Sequence, residues 1–551
     1  MGAIGADVSG AERPGRDRRA VRIPAVAPDA GRARQAPADP HVVVVGGGIA
    51  GLNAAVCLAE RGVRVTLLER DRQLGGRVAS WPVQVAGDDD SSAMSRGFHA
   101  FFRQYYNLRA LLRRIDPDLS ILQPVRDYPL LHADGTRDSF TRIPRRPPWN
   151  ALGFVALSPS CRLADLRRVD VERALALLDV DFPKTFVEHD GVSAQDVLDA
   201  LHFPGPMRAL ALEVFARSFF ADPREFSGGE LVAMFHTYFL GSAEGLLFDV
   251  ARDDFDTTLW APLGRWLHER GVQVRCEAPV LRLDRDGPGD DIQVVLGDGG
   301  HMSADGVVLA VTRPSLQAIV DESGWVGTPD WRAAVARGRM APRFVVQRLW
   351  LDRPVRDDTP AFLGTAALGF LDNLSAMHLL EVGAAAWARR TGGSVIELHA
   401  YAVPDAVTDA EVLADLRTQL HRLHPELVEA RVLHEEVLVQ QDCPLAGTDP
   451  WLDRPGVRTP VEQLVLAGDG IRCELPVALM ERAATTGVQA ANALLEQWGR
   501  AGHDVWSVPT SARWGPGVHL ARRLARRLDL LPGSTVRRRR PTQGARHHDH
   551  P

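Results

Sequence analysis

Residues 41–70 read HVVVVGGGIAGLNAAVCLAERGVRVTLLER. The opening HVVVV is a short continuous apolar run, the signature of a strand buried on both faces of a parallel sheet. GGGIAGLNAAVCLAERG then reads as a turn entering a helix, and VRVTLLER as the next strand, which makes a βαβ unit about 30 residues long. Gly46, Gly48 and Gly51 form G-x-G-x-x-G at the strand-to-helix turn. In that motif the first glycine makes the tight turn, the second lets backbone approach a pyrophosphate, and the third allows close helix packing. The helix N-terminus then faces the phosphates. Glu69 closes the second strand about 20 residues on, where a carboxylate bonds both ribose hydroxyls and disfavours a 2′-phosphate. Ala50 and Arg70, beside the motif and the acid, are expected contacts of the same dinucleotide.

Working outward, ERDRQLGGRV (69–78) places Gly75 and Gly76 for close backbone approach and Arg77 as a cation for a pyrophosphate or a flavin. NAD enzymes have no need of this segment, so the sequence points to FAD. Almost 400 residues later QLVLAGD (463–469) ends a strand in Gly468 and Asp469, and LMERAATTGVQAANALL (479–495) follows as a helix. A helix N-terminus placed against the flavin pyrimidine stabilises negative charge in the reduced ring, and Met480 and Glu481 are expected there. Val280 is the expected backbone contact for adenine. The fold class expected is α/β: a Rossmann-like FAD-binding domain of three-layer ββα type, with an inserted α+β substrate domain containing a mixed or antiparallel sheet.

The rest of the chain divides around these pieces. Residues 1–40, rich in Ala, Arg, Pro and Asp without apolar periodicity, read as a disordered tail. Residues 41–104, 251–342 and 455–500 read as the three FAD-binding segments, and 105–250 as a helical, substrate- and membrane-facing segment with LALEVFARSFF (210–220) and LVAMFHTYFL (231–240). Residues 343–454 carry FVVQRLWL, SVIELHAYAV and ARVLHEEVLV as strands of an antiparallel substrate-domain sheet, with a helix beginning near Thr408. Residues 501–551 form a basic tail. No repeat of 20 to 50 residues is present.

Composition bounds the partners. At 551 residues, 45% hydrophobic and 24% charged, the chain is long enough for two ordinary globular domains. Its net charge of -6 argues against nucleic acid. Lys184 is the sole lysine, so the positive charge is almost wholly arginine, as a GC-rich genome produces. Five scattered cysteines without a C-x-x-C pair indicate neither a disulfide framework nor a zinc site, and no metal is expected. No run of about 18 apolar residues is present, and the Arg18–Arg19 pair lacks an apolar export partner, so a cytoplasmic location is expected.

RGFHAFFRQYYNLRALLRRIDP (96–117), shortly after the GGR segment, resembles the glycine, histidine, double-phenylalanine signature of plant-type carotene desaturases. With DYPLLHADGTRDSF, PPWNALGFVALSPS, RSFFADPRE and HTYFLGSAEGLLFDV, residues 41 to 500 are similar to the carotenoid φ-ring synthases, also called isorenieratene synthases or β-carotene desaturase/methylases. The resemblance implies an FAD-dependent oxidoreductase acting on CH–CH groups. Its substrate would be β-carotene, giving isorenieratene, or γ-carotene, giving chlorobactene, by desaturation with a 1,2-methyl shift. Such chemistry needs an oxidant, a dry pocket, aromatic faces for transient positive charge and a base. Phe98, Phe101, Phe102, Phe219, Phe220, Phe235, Tyr238 and Phe239 are candidate pocket residues, each alternatively plain core. His99 is the preferred candidate base, with Arg96, Glu244 and His236 behind it; a structural histidine and no dedicated base are the competing readings.

A bilayer-dissolved hydrocarbon requires docking on the membrane surface, expected on the inner face of the cell membrane. VHLARRLARRLDLL (518–531), with Leu520, Leu524 and Leu528 amid arginines, is a candidate docking helix or a helix packed on the body. A membrane quinone or oxygen would accept the electrons. The competing functions are a χ-ring synthase, a linear carotene desaturase or isomerase, a flavin amine oxidase, and a non-enzymatic membrane escort.

Overall fold

The structure, a computed structural model, describes residues 14–33, 37–85, 92–139, 143–147, 149–150, 170–202, 217, 219–285, 287, 291–512 and 517. Five parallel strands form the first sheet, in the order Gln273–Arg275, Arg64–Leu68, His41–Val45, Gly306–Leu309, Leu464–Leu466. The central strand shows why its run of valines is uninterrupted. Val42 and Val44 face the helices Ile49–Ala59 and Leu479–Gln497, while Val43 and Val45 face the antiparallel strands Val280–Asp284 and Ile292–Leu296 and the helix Arg313–Glu322. Side chains alternate across a strand, so burial on both faces demands apolar residues at both parities. Each such valine contributes about 1.5–3 kcal/mol on leaving water. The three layers match the α/β class expected.

A second, mixed sheet of seven strands runs Val432–Gln440, Arg343–Leu351, Ser394–Val403, Asn373–Ala376, Phe362–Ala366, Leu130–His132, Arg137–Asp138. Neighbours are antiparallel except Phe362–Ala366 against Leu130–His132. One face, with Val345, Leu349, Ile396 and Leu398, is covered by the helix Asp409–Leu423 through Val412, Leu416 and Leu420. That helix starts where expected because Thr408 and Glu411 form a reciprocal capping box. The other face carries Val346, Arg348, Glu397, His399 and Tyr401 at the opposite parity.

Two expectations need correction. Residues 105–250, read as helical, also supply the strands Leu122–Pro124, Leu130–His132, Arg137–Asp138 and Phe248–Ala251. Runs of two to four residues are too short to show a period of two, and their partners lie far away in sequence. Of the two aromatic stretches there, LVAMFHTYFL forms the helix Gly228–Phe235 and the π-turn His236–Leu240, and most of LALEVFARSFF lies outside the described residues.

The tail 1–40 is also not without structure. Val21–Ile23 pairs antiparallel with Val505–Ser507, itself in the segment read as a basic tail. Asp17 is buried and accepts the Ala243 N–H at 2.7 Å, while Glu244 accepts the Arg16 and Asp17 N–H groups at 2.8 and 3.0 Å. Neither terminal segment has apolar periodicity. They are ordered instead by backbone pairing and by carboxylates that accept backbone N–H groups, which composition does not reveal. The segment 518–531 lies outside the described residues.

Candidate active site

The two sheets flank a continuous cavity of about 400 Å³. At one end lie Gly46, Gly48, Ala50, Glu69, Arg70, Gly76, Arg77, Val280, Gly468, Asp469 and Met480. The glycines there do different jobs. Gly46 has φ +107°, and a Cβ on it would run into the Ala310 carbonyl; a Cβ on Gly51 would overlap the Gly46 carbonyl oxygen. Gly51 is therefore helix packing and not cavity lining. Gly48 has an ordinary φ of -80°, and the nearest atom to a Cβ there is the Gly76 Cα at 4.0 Å. Nothing in the protein requires Gly48 to be small, but a group lying in the cavity against the helix N-terminus does. That helix has no side-chain cap, so its first N–H groups are left for an anion.

Glu69 is buried at the strand end and accepts the Gly47 and Asp71 N–H groups at 2.6 and 2.9 Å. Arg77 is ion-paired with Asp469, which joins the second and third pieces of the dinucleotide signature across almost 400 residues of sequence. The helix Leu479–Gln497 opens onto the cavity at Leu479, held at φ +51°, and Met480 lines the wall. Glu481, expected beside it at the flavin, points away: it accepts the Asn107 and Leu108 N–H groups at 2.8 and 3.0 Å. Burial pushes its carboxyl up to about 8 against those bonds. These groups fit a dinucleotide: an uncapped helix end and open glycine for the pyrophosphate, and an acid for the ribose.

The other end is lined by aromatic rings, among them Phe98, Phe102, Phe219, Phe220, Tyr238 and Phe362. Phe98 lies 4.4 Å from Phe362 and Phe102 4.7 Å from Tyr238, centroid to centroid. Phe101 is core beneath the nucleotide half, and Phe235 stacks on Phe239 outside the lining, so these three are not pocket residues. His99 lines the cavity. Its Nδ1 sits 2.7 Å from the Gly97 carbonyl, which can only accept, so Nδ1 carries the proton and Nε2 is left as an acceptor. Burial lowers His99 to about 4.

Arg96 also reaches the cavity, ion-paired with Asp442. Glu244 and His236 do not line it. Glu244 holds the N-terminal segment, and the His236 Nε2 donates to the Pro509 carbonyl at 2.7 Å, so neither is placed to act on a ligand there.

Sequence reading missed a polar group on the cavity wall: His399 and Tyr401, with Glu397 beneath them. His399 lies 2.7 Å from Glu397 Oε1 and 2.9 Å from the Tyr401 hydroxyl. Arg348, opposite Glu397 in the sheet, binds it at 2.6 Å. The available signal was three polar residues at alternate positions in an otherwise apolar strand, SVIELHAYAV.

Residues 49–495 match the family of flavin containing amine oxidoreductases, and residues 3–84 match the pyridine nucleotide-disulphide oxidoreductases. The chain is 54% identical over 91% of its length to a carotenoid φ-ring synthase of Streptomyces griseus, of which 96% is covered. It is 26% identical to a carotenoid φ-ring synthase of Chlorobaculum tepidum, over 82% of this chain and 88% of that one. A cyclohexylamine oxidase of Brevibacterium oxydans shares the fold, with a TM-score of 0.60 at 16% identity over 84% of this chain and 100% of that one. The nucleotide cradle and the matches agree: the chain is an FAD-dependent oxidoreductase and belongs to the flavin-containing amine oxidoreductase family, alongside the carotenoid φ-ring synthases.

Proposed function

We propose that this enzyme aromatises carotenoid β-rings to φ-rings, converting β-carotene to isorenieratene or γ-carotene to chlorobactene. One observation about the cavity carries the reading beyond the family: at the aromatic end its carboxylates are already taken. Asp372 is ion-paired with Arg217 and Asp442 with Arg96, so neither is left to hold a substrate ammonium. What remains is a bore of mainly aromatic faces, with His399 and Tyr401 on one wall, continuous with the nucleotide cradle and suited to an apolar ring that passes through a cation.

Gly46, Gly48, Ala50, Gly51, Glu69, Arg70, Gly76, Arg77, Val280, Gly468, Asp469 and Met480 form or support the FAD site in this reading, with Val280 contributing backbone. Bound FAD supplies the oxidant, taking two electrons per turnover. A β-ring must lose four hydrogens and move one methyl, so each ring needs two turnovers. Loss of one hydride beside the quaternary carbon would leave a cation, a 1,2-methyl shift would relieve it and loss of a proton would give the second ring double bond. A second hydride and a second proton, lost in the second turnover, would complete the ring, with no separate methyl donor. Phe98, Phe102, Phe219, Phe220 and Tyr238 exclude water and face the cation, and the His99 Nε2 is a candidate proton acceptor.

The substrate's insolubility supports docking on a membrane surface, on the inner face, with a membrane quinone reoxidising the flavin. Among the described residues no helix is long and apolar enough to cross a membrane.

The test is pigment analysis of a β-carotene-producing bacterial host expressing this chain. Products lighter by four and then eight hydrogens, with φ-type methyl positions by NMR, are expected. Other methyl positions would assign a χ-ring synthase; unchanged β-carotene beside FAD-loaded protein would sink the reading.

A further inference from the structure

We propose that Tyr401, His399 and Glu397 form a proton relay that removes the protons lost as the ring aromatises; this rests on the function proposed above. The three residues alternate along the strand Ser394–Val403, so they share the face turned to the cavity. Tyr401 and His399 line it, and Glu397 lies fully buried behind them.

The direction of each hydrogen bond follows from Glu397. Burial alone would raise its carboxyl, but Arg348 and His399 outweigh that and hold it at about 2. Glu397 is therefore a carboxylate and can only accept, so the His399 Nε2 carries a proton and donates to it at 2.7 Å. The Phe98 N–H, 3.4 Å from the same nitrogen, is too distant to compete. With the ring proton on Nε2, Nδ1 is the nitrogen that accepts, and the partner 2.9 Å away is the Tyr401 hydroxyl, which donates. Asn373 Nδ2 donates to the Tyr401 oxygen at 3.0 Å and fixes the ring's tip. Each proton in the chain thus already points away from the cavity and towards the carboxylate.

The step balances. A C–H bond of the substrate cation breaks, and its electron pair becomes a ring double bond. The proton goes to the Tyr401 oxygen as the phenol proton passes to the His399 Nδ1. Positive charge leaves the substrate and comes to rest on an imidazolium beside a carboxylate already in place, so no new charge is created in the dry cavity. Once product has left, the proton returns from His399 through the Tyr401 hydroxyl to the cavity that both residues line. His99 lacks this support, because its Nδ1 faces a carbonyl and burial opposes its protonation.

Stability does not explain the arrangement. Buried ion pairs are often replaceable by apolar residues at no loss, and here Arg348, Glu397 and His399, each at most 1% exposed, sit under an aromatic bore. Tyr401, which would touch the substrate, is the catalytic residue; His399 and Glu397 act through it as positioning residues.

The experiment compares FAD-loaded parent, Tyr401→Phe and His399→Gln in steady-state turnover of β-carotene in lipid micelles with an added quinone as electron acceptor. Both variants are expected to keep FAD and Tm, to hold KM within about threefold, and to form aromatic product ~10²–10⁴-fold more slowly. The solvent deuterium isotope effect of the parent is expected to vanish in Tyr401→Phe. A merely structural role would move KM, FAD retention or Tm instead, and that result overturns the relay. Aromatisation by either folded variant within about threefold of the parent also overturns it while leaving the proposed function standing. A parent that aromatises no β-ring overturns both.

Discussion

Among single residues, the glycines of the first turn separate what the fold needs from what the cofactor needs. Gly48 has room for a side chain and an unremarkable backbone, whereas Gly51 has no room at all. Gly48→Ala is therefore expected to fold with stability within about 1 kcal/mol of the parent and to lose at least about tenfold in FAD affinity. Gly51→Ala should instead yield insoluble or unfolded chain. Urea melts alongside flavin titrations separate the two. His99 gives a second expectation. Its folded-state value, lowered to about 4 by burial, means that the unfolded chain binds more protons between about pH 4 and 6.5. Stability from this group is full above about 6.5 and is lost as pH falls towards 4, by about 3 kcal/mol. His99→Gln should remove that part of the acid sensitivity in melts taken across this range.

Within elements, the same geometry shows why some of the site was legible and some was not. The motif glycines, Glu69, Arg77 and Asp469 were legible because each is fixed by local backbone geometry or by a strand end, and spacing records both. The relay strand was read as ordinary sheet because eight of its ten residues are well buried, although its period of two places Glu397, His399 and Tyr401 on one side. Glu481 was misplaced for a related reason. A residue at a helix start can turn to the cavity or to the next helix, and here it receives the Asn107 and Leu108 N–H groups at the start of Tyr106–Leu112. Its carboxyl is raised to about 8, so the folded chain binds the extra proton and stability falls as pH rises from about 4.5 through 8. Glu481→Gln cannot ionise. The parent-minus-variant difference in unfolding free energy should shift against the parent by up to ~4 kcal/mol between pH 5 and 9.

Across the whole molecule, buried charge ties the middle of the chain to its last segment. Glu230, at the start of the helix Gly228–Phe235, binds Arg454 at 3.0 Å and Arg482 at 2.5 Å. Burial would raise its carboxyl, yet the two arginines hold it below its ordinary value. Glu230→Gln strands two guanidinium groups and is expected to cost about 3–5 kcal/mol, read by chemical denaturation. The overall class was legible because three short segments carry it. The clasp between the strands Val21–Ile23 and Val505–Ser507 was not, since its partners share no pattern and meet through backbone pairing and one ion pair, Arg22 with Asp504, almost 500 residues apart.

The parallel sheet has one further consequence. Its edge strand Leu464–Leu466, and the helix Leu479–Gln497 that packs on Ile49–Ala59, come from the far end of the chain. During synthesis at about 5–20 residues per second, the finished helix Ile49–Ala59 waits roughly 20–80 s for the helix that covers it to be translated. Through that interval the nascent nucleotide half exposes an unpaired strand and a bare helix face, the surfaces that chaperones bind. Ribosome-bound chains stalled before residue 464 should therefore be sensitive to chaperone depletion, and release from that dependence should coincide with the emergence of the last helix.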